Sequence, residues 1–185
     1  MIVITGASAT GKTETARVIK TLYGIKKVVT HTTRPMRGGE QPDVDYHYVT
    51  KEVFLKMKKE NKFVETMEYC HNYYGTSKAE IAPDKIVIVE TSGAKVFLGL
   101  NNKSIVVFKL LASRKLRRSR MLERGDTLEN INSRLDNDIT YFDDSKFNDP
   151  RIIDIDTDDL TLEEVARKIY STYSKMMNDL NKNNA

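Results

Sequence analysis

The sequence is nearly empty of cysteine: Cys70 is the only one in 185 residues. An intrachain disulfide is thereby excluded, as are Cys-x-x-Cys redox pairs and Cys/His zinc sites. No window approaches the roughly 18 consecutive apolar residues that a transmembrane helix requires. The opening Met1-Ile-Val-Ile-Thr5 lacks the basic region and cleavage site of a secretory signal. Internal repeats are missing too. The expectation is a soluble, cytoplasmic protein with no membrane partner.

Charge of one sign is also lacking overall, since 30 Lys and Arg against 26 Asp and Glu leave a net +4. The charge is instead unevenly placed. Lys109, Arg114, Lys115, Arg117, Arg118, Arg120, Arg124 and Arg134 fall in one stretch, and residues 135–164 then hold eleven acidic residues against Lys146 and Arg151. Aromatic residues do not interleave with the basic run, so a stacking platform for single-stranded nucleic acid is disfavoured. With 39% hydrophobic and 30% charged residues the chain suits a globular fold. About 185 residues make one domain, which buries roughly 70% of its unfolded surface.

Short apolar runs separated by helical patterns predict a mostly parallel sheet covered on both faces. Strands are expected at Ile2–Thr5, Lys27–Thr30, Tyr46–Val49, Lys85–Glu90, Ser104–Leu111 and Arg151–Ile155. Helices are expected over 12–23, 51–61, 114–124, 127–142 and 161–180, with a frayed polar tail from Asn178. Residues 34–45, with Pro35, Gly38, Gly39 and Pro42, read as a loop. Phe63–Tyr69 and Asn72–Thr76 read as a small antiparallel piece.

The sharpest motif is Gly6-Ala7-Ser8-Ala9-Thr10-Gly11-Lys12-Thr13, which matches G-x-x-x-x-G-K-[ST] between a strand and a helix. Its glycines let backbone N–H groups converge on phosphate oxygens at a helix N-terminus. Lys12 would bridge the outer phosphates, and the Thr13 hydroxyl would reach Mg²⁺ with Glu90, directly or through water. A guanine-reading Asn-Lys-x-Asp motif is absent, because Asn102-Lys103-Ser104-Ile105 has no aspartate. That disfavours a GTPase.

A second cluster follows. Arg34 and Arg37 flank a turn with Glu40, and downstream come Asp45-Tyr46, Phe63-Val64-Glu65 and Tyr73-Tyr74-Gly75-Thr76. Two arginines and two tyrosines suit one phosphate, since the guanidinium fork donates paired, charge-assisted hydrogen bonds. A carboxylate and a hydroxyl suit the edge of a base. His31, His47 and His71 are read as structural or surface residues.

Together with Arg120-x-x-x-Arg124-Gly125 and Arg134-Leu135, these motifs resemble the guanylate kinase family in order and spacing over most of residues 2–160. The resemblance implies a three-layer α/β P-loop fold with a mostly parallel sheet flanked by helices. The core would hold about 1–33, 81–112 and 143–180, with a small inserted α+β monophosphate-binding lobe about 34–80. An arginine-bearing helical lid would span about 113–142.

The implied activity is transfer of the terminal phosphoryl group of ATP, with Mg²⁺, to GMP or dGMP. Residues 6–14, from Gly6 to Glu14, would bind ATP. Arg34, Arg37, Tyr46 and Tyr74 would bind the acceptor's phosphate, Glu65 its base, and Thr30 and Thr76 the base's O6 side. Lys12, Arg34, Arg120, Arg124 and Arg134 would stabilise the transferring group.

One departure stands out. Where the family usually carries Asp-x-Asp, this chain has Ile88-Val89-Glu90. That leaves open a kinase of the same fold with another nucleotide or a phosphosugar as acceptor. A non-catalytic interaction module of this family is a further alternative, disfavoured by the intact Gly11-Lys12-Thr13. A monomer and a homodimer both remain compatible with the sequence.

Overall fold

The computed structural model describes residues 1–183 except 37, 39, 70 and 142–148. Its centre is a five-stranded parallel sheet in the order β2-β7-β1-β8-β9. The strands are β1 (Ile2–Gly6), β2 (Lys26–Lys27), β7 (Lys85–Ile88), β8 (Val106–Leu111) and β9 (Ile152–Asp156). Val3 sits opposite Val87 on one side and Val107 on the other, so β1 is buried along its whole length. Continuous β-branched runs produce this because a central parallel strand has no solvent face.

Helices cover both faces. On one, α1 (Lys12–Tyr23) and α6 (Leu162–Asn183) place Ala16, Ile19, Val165 and Ile169 against Ile2, Ile4 and Phe108. On the other, α3 (Thr91–Gly99) packs Ala94, Phe97 and Leu98 against Val3, Val87 and Val107. This is the three-layer α/β arrangement expected from the sequence.

A second, four-stranded sheet has the order β4-β3-β6-β5. It comprises β3 (Thr30–Thr32), β4 (Tyr46–Tyr48), β5 (Phe63–Tyr69) and β6 (Asn72–Ser77). Its outer face carries stacked Phe54, Phe63 and Tyr73, with Phe54 supplied by α2 (Lys51–Lys59). Thr50 caps α2 by accepting the Val53 N–H. The helices α4 (Arg114–Glu123) and α5 (Leu128–Tyr141) pair through Met121, Ile131 and Leu135.

Three sequence expectations are corrected. The single strand expected at Lys27–Thr30 is two strands in different sheets, because the chain leaves the main sheet at Val28 and enters the second at Thr30. No helix was expected over 91–99, yet α3 occupies it. The C-terminal helix continues through Asn183, past the point where fraying was expected.

Candidate active site

The phosphate loop is built by close packing of β1 against β8. Gly6 has φ +142°, and a Cβ there would lie 2.4 Å from the Leu110 carbonyl oxygen. Only glycine lets the strand end this close to its neighbour while turning into the loop. Gly11, with φ 97°, then starts α1 as its left-handed N-cap, leaving the first-turn N–H groups open.

Within the loop, Lys12 Nζ donates to the carbonyls of Gly6 at 2.6 Å and Ala7 at 2.9 Å. Thr10 Oγ1 donates to the Ala7 carbonyl at 3.0 Å. Burial pushes the Lys12 ammonium below its usual range, opposed by the negative charges of Glu90 and Asp138. Ala9 adopts φ 62°, the strained member of the loop. Thr13 is exposed at the mouth, whereas Glu14 turns to Arg17 in an exposed pair.

The second sheet supplies the other half. Strand alternation sends Thr30, Tyr46, Glu65, Met67, Tyr74 and Thr76 to one face, where they line a cavity of about 160 Å³. An irregularity between Phe63 and Glu65 re-aims Glu65 and puts it opposite Thr76, whose hydroxyl donates to Glu65 Oε1 at 2.7 Å. Burial raises the Glu65 carboxyl above its ordinary value, and the Thr76 hydrogen bond partly opposes this. The far wall is the end of β7 and the start of α3: Ile88, Val89, Glu90, Ser92 and Gly93. Burial also raises the Glu90 carboxyl, while Lys12 pulls it down.

Arg34 is held ready at the rim. Its Nη2 donates to Glu40 Oε1 at 2.6 Å, and its guanidinium lies 5.4 Å from the Tyr46 ring centroid. Tyr48 donates to the other Glu40 oxygen at 2.7 Å, and desolvation together with that bond pushes its phenol up to about 12. Tyr46 and Tyr74 are 6.2 Å apart, centroid to centroid. Arg34, Tyr46 and Tyr74 are thus brought together as the sequence anticipated. Arg37 lies outside the described residues.

Arg120, Arg124 and Arg134 divide. Arg120 Nη1 donates to the Ala9 carbonyl at 3.2 Å, placing it over the phosphate loop. Arg124 instead pairs with Asp126 on the exposed side, and Arg134 stands in solvent within reach of the same aspartate. Neither makes a hydrogen bond to the phosphate loop in this conformation, so the expected three-arginine clamp is present only at Arg120.

Two groups were given no site role from the sequence. Arg117 of α4 and Asp138 of α5 form a buried pair at 2.5 Å, and Asp138 also binds Ser8. Both line a larger cavity of about 460 Å³ beside Ala7, Thr10 and Lys109–Ser113, reaching Asp156 and Asp158. A signal existed: Asp138 lies seven residues after Ile131 and three after Leu135, on the buried stripe of α5. Arg117 likewise precedes buried Met121 by one turn.

A P-loop on a doubly covered parallel sheet, facing a second cavity built on a smaller sheet, is the arrangement of a P-loop kinase. The sequence model of the guanylate kinase family matches residues 1–172. The guanylate kinase of Chromohalobacter salexigens is 28% identical over 187 residues, covering 95% of this chain and 85% of that one. That of Acinetobacter baylyi is 34% identical over 143 residues, covering 73% and 69%. Among solved structures, the guanylate kinase from Anaplasma phagocytophilum superposes with a TM-score of 0.67 at 21% identity, over 95% of this chain and 84% of that one. A gluconokinase from Sinorhizobium meliloti shares the fold more distantly, with a TM-score of 0.53 at 14% identity over 100% and 97%. The chain belongs to the guanylate kinase family. Among the described residues no helix is long and apolar enough to cross a membrane.

Proposed function

We propose that the protein transfers the terminal phosphoryl group of ATP to GMP or dGMP, giving ADP and GDP or dGDP. One observation carries this reading: Glu90 lines the acceptor cavity and is also an electrostatic neighbour of Lys12. The donor and acceptor sites therefore share the wall formed by the end of β7. A phosphate held at the phosphate loop and one held by Arg34, Tyr46 and Tyr74 would meet across it.

Phosphoryl transfer between two phosphates needs no covalent nucleophile and no strong base, so positioning and charge stabilisation suffice. Lys12 would exchange its two carbonyl partners for the outer phosphates, and Arg120 is already over the loop to follow the transferring group. The larger cavity would take the remainder of the donor nucleotide. Glu65 offers a carboxylate to the N1–H and N2–H donors of guanine, and Thr30 and Thr76 stand beside it. We assign the monophosphate-binding lobe to about 34–80, together with Thr30, and the lid to about 113–142.

The oxygen donors present fit Mg²⁺. Exposed Thr13 and the Glu90 carboxylate are hard ligands, and no cluster of three or more candidate ligands occurs among the described residues. That matches a cation held mostly by substrate phosphates and water. Bound there, Mg²⁺ would neutralise developing charge on the phosphoryl oxygens.

One observation favours a second reading. Ile88 gives the acceptor cavity an apolar wall where a polar group would read a base. An acceptor other than a guanine nucleotide would account for it.

The test is ADP release from ATP with GMP present. Steady turnover that disappears in Lys12→Ala is expected. A Lys12→Ala variant turning over like the wild type would overturn the assignment.

A further inference from the structure

The Arg117–Asp138 pair has features that helix packing does not explain. Arg117 is 9% exposed and Asp138 7%. Ion pairs this buried contribute little net stability, because desolvation offsets most of the attraction. Met121, Ile131 and Leu135 already hold α4 to α5 with an apolar contact. The pair also faces the phosphate loop instead of closing on itself. Asp138 Oδ2 accepts the Ser8 backbone N–H at 3.1 Å, and Oδ1 accepts the Ser8 hydroxyl at 3.3 Å. Arg117 donates to the same Oδ2 through Nη1 at 2.5 Å, and its Nε is buried with no hydrogen-bond partner.

A backbone N–H, a hydroxyl and a guanidinium converging on one anionic oxygen pair is the donor set that binds a phosphate. Here a carboxylate of the protein fills it. The set borders the larger cavity beside Ala7 and Thr10, and both charges are electrostatic neighbours of Lys12. We propose that Ser8 and Arg117 form an additional phosphate subsite for the donor nucleotide, in which the Asp138 carboxylate sits as a tethered stand-in that an arriving phosphate displaces. The inference rests on the reading of the phosphate loop as the ATP site.

Without a nucleotide, Asp138 neutralises Arg117 and keeps Ser8 satisfied, leaving only the Arg117 Nε without a partner. When the phosphate chain enters, the same negative charge opposes it. Removing that charge should therefore strengthen donor binding, the reverse of what loss of a purely structural contact would do. Asp138→Asn keeps the size of the side chain and an acceptor for Ser8 but drops the charge.

The experiment measures binding of ATP and of inorganic tripolyphosphate by calorimetry to the full chain. We expect Asp138→Asn to bind both roughly 10-fold more tightly than the wild type, a change of about 1.4 kcal/mol. Because Arg117→Ala alone would leave Asp138 buried and unpaired, the arginine is tested in Asp138→Asn/Arg117→Gln, where neither charge of the pair remains. That double variant should lose the whole gain. Equal or weaker binding by Asp138→Asn would overturn the proposal, as would a double variant that binds as tightly as the single one. Lys12→Ala separates the two layers of argument: if it binds ATP as the wild type does, the donor-site reading itself fails, whatever the Asp138 variants do.

Discussion

Replacing Glu65 by glutamine tests the acceptor pocket most sharply, because it changes the hydrogen-bond pattern of one buried group and little else. One Glu65 oxygen already accepts the Thr76 hydroxyl at 2.7 Å, and the carboxylate faces the cavity between Thr30, Tyr74 and Thr76. Guanine presents two donors on that side, N1–H and the 2-amino group, and an ionised carboxylate accepts both. A carboxamide accepts one and turns its own N–H toward the other. The variant loses one charge-assisted hydrogen bond, worth about 1.5–3 kcal/mol, and strands a buried polar group at about 1–3 kcal/mol. With partial relaxation a total of about 3–4 kcal/mol is expected, or a fall of roughly 10²–10³ in kcat/KM for GMP. Adenine presents an acceptor at N1 and a donor at N6, the pattern a carboxamide satisfies, so AMP should fall far less or improve. Coupled-enzyme kinetics with both acceptors at fixed ATP read the ratio directly. If GMP stays within about 3-fold of wild type, or both acceptors fall alike, Glu65 does not read the base.

Other expectations follow from neighbouring geometry. Glu40→Ala removes the carboxylate that holds Arg34 and Tyr48, so KM for GMP should rise about 5–30-fold, in keeping with about 1–2 kcal/mol for lost charge-assisted positioning; an unchanged KM in steady-state kinetics would show that Arg34 needs no orienting partner. In Gly75→Ala the new Cβ would meet Phe63 at 2.9 Å and Phe54 at 3.0 Å, beneath the acceptor cavity. Overpacking there should cost about 1–3 kcal/mol in urea denaturation, and wild-type stability would mean the aromatic layer yields freely. The pH dependence of stability offers a further check. Burial raises the folded-state Glu65 carboxyl above its ordinary 4.5. Its contribution is therefore fully present below the unfolded value and is lost as pH rises through the folded one. Relative to wild type, Glu65→Gln should gain stability as pH climbs from about 4.5 toward neutrality; parallel stability–pH curves would show that the carboxyl is not penalised by burial.

Much of this architecture is legible in the chain because its signals are local. Lys85-Ile-Val-Ile-Val-Glu90 has no polar face, so it announces a central strand, and Gly6 to Thr13 carries its strand–loop–helix context with it. The acceptor pocket follows from strand alternation once Glu65 and Thr76 lie on paired strands. What escapes the sequence is set by tertiary contact. Helix α3 begins at Thr91, follows Glu90 as an N-cap that makes no side-chain cap bond, and contains Gly93, whose bare Cα fits against Val89. Neither propensity nor capping marks it, and burial stabilises it. The Val28 crossing between sheets leaves no turn residue as a marker. Arg117 and Asp138 are 21 positions apart in highly charged surroundings, so their union appears only when α4 and α5 fold together. Arg124 and Arg134 match the family motif, yet they face Asp126 and solvent in this conformation.

This P-loop enzyme is expected to phosphorylate a guanine nucleotide, with Glu65 and Thr76 selecting the base. The most direct measurement is kcat/KM for GMP, dGMP, AMP, CMP and UMP with ATP and Mg²⁺, with the diphosphate product identified by ³¹P NMR. GMP and dGMP should exceed every other acceptor by roughly 10³-fold or more, since a site built to hydrogen-bond one base edge leaves its buried groups unpaired with another. AMP, CMP or UMP turned over as efficiently as GMP would contradict the account.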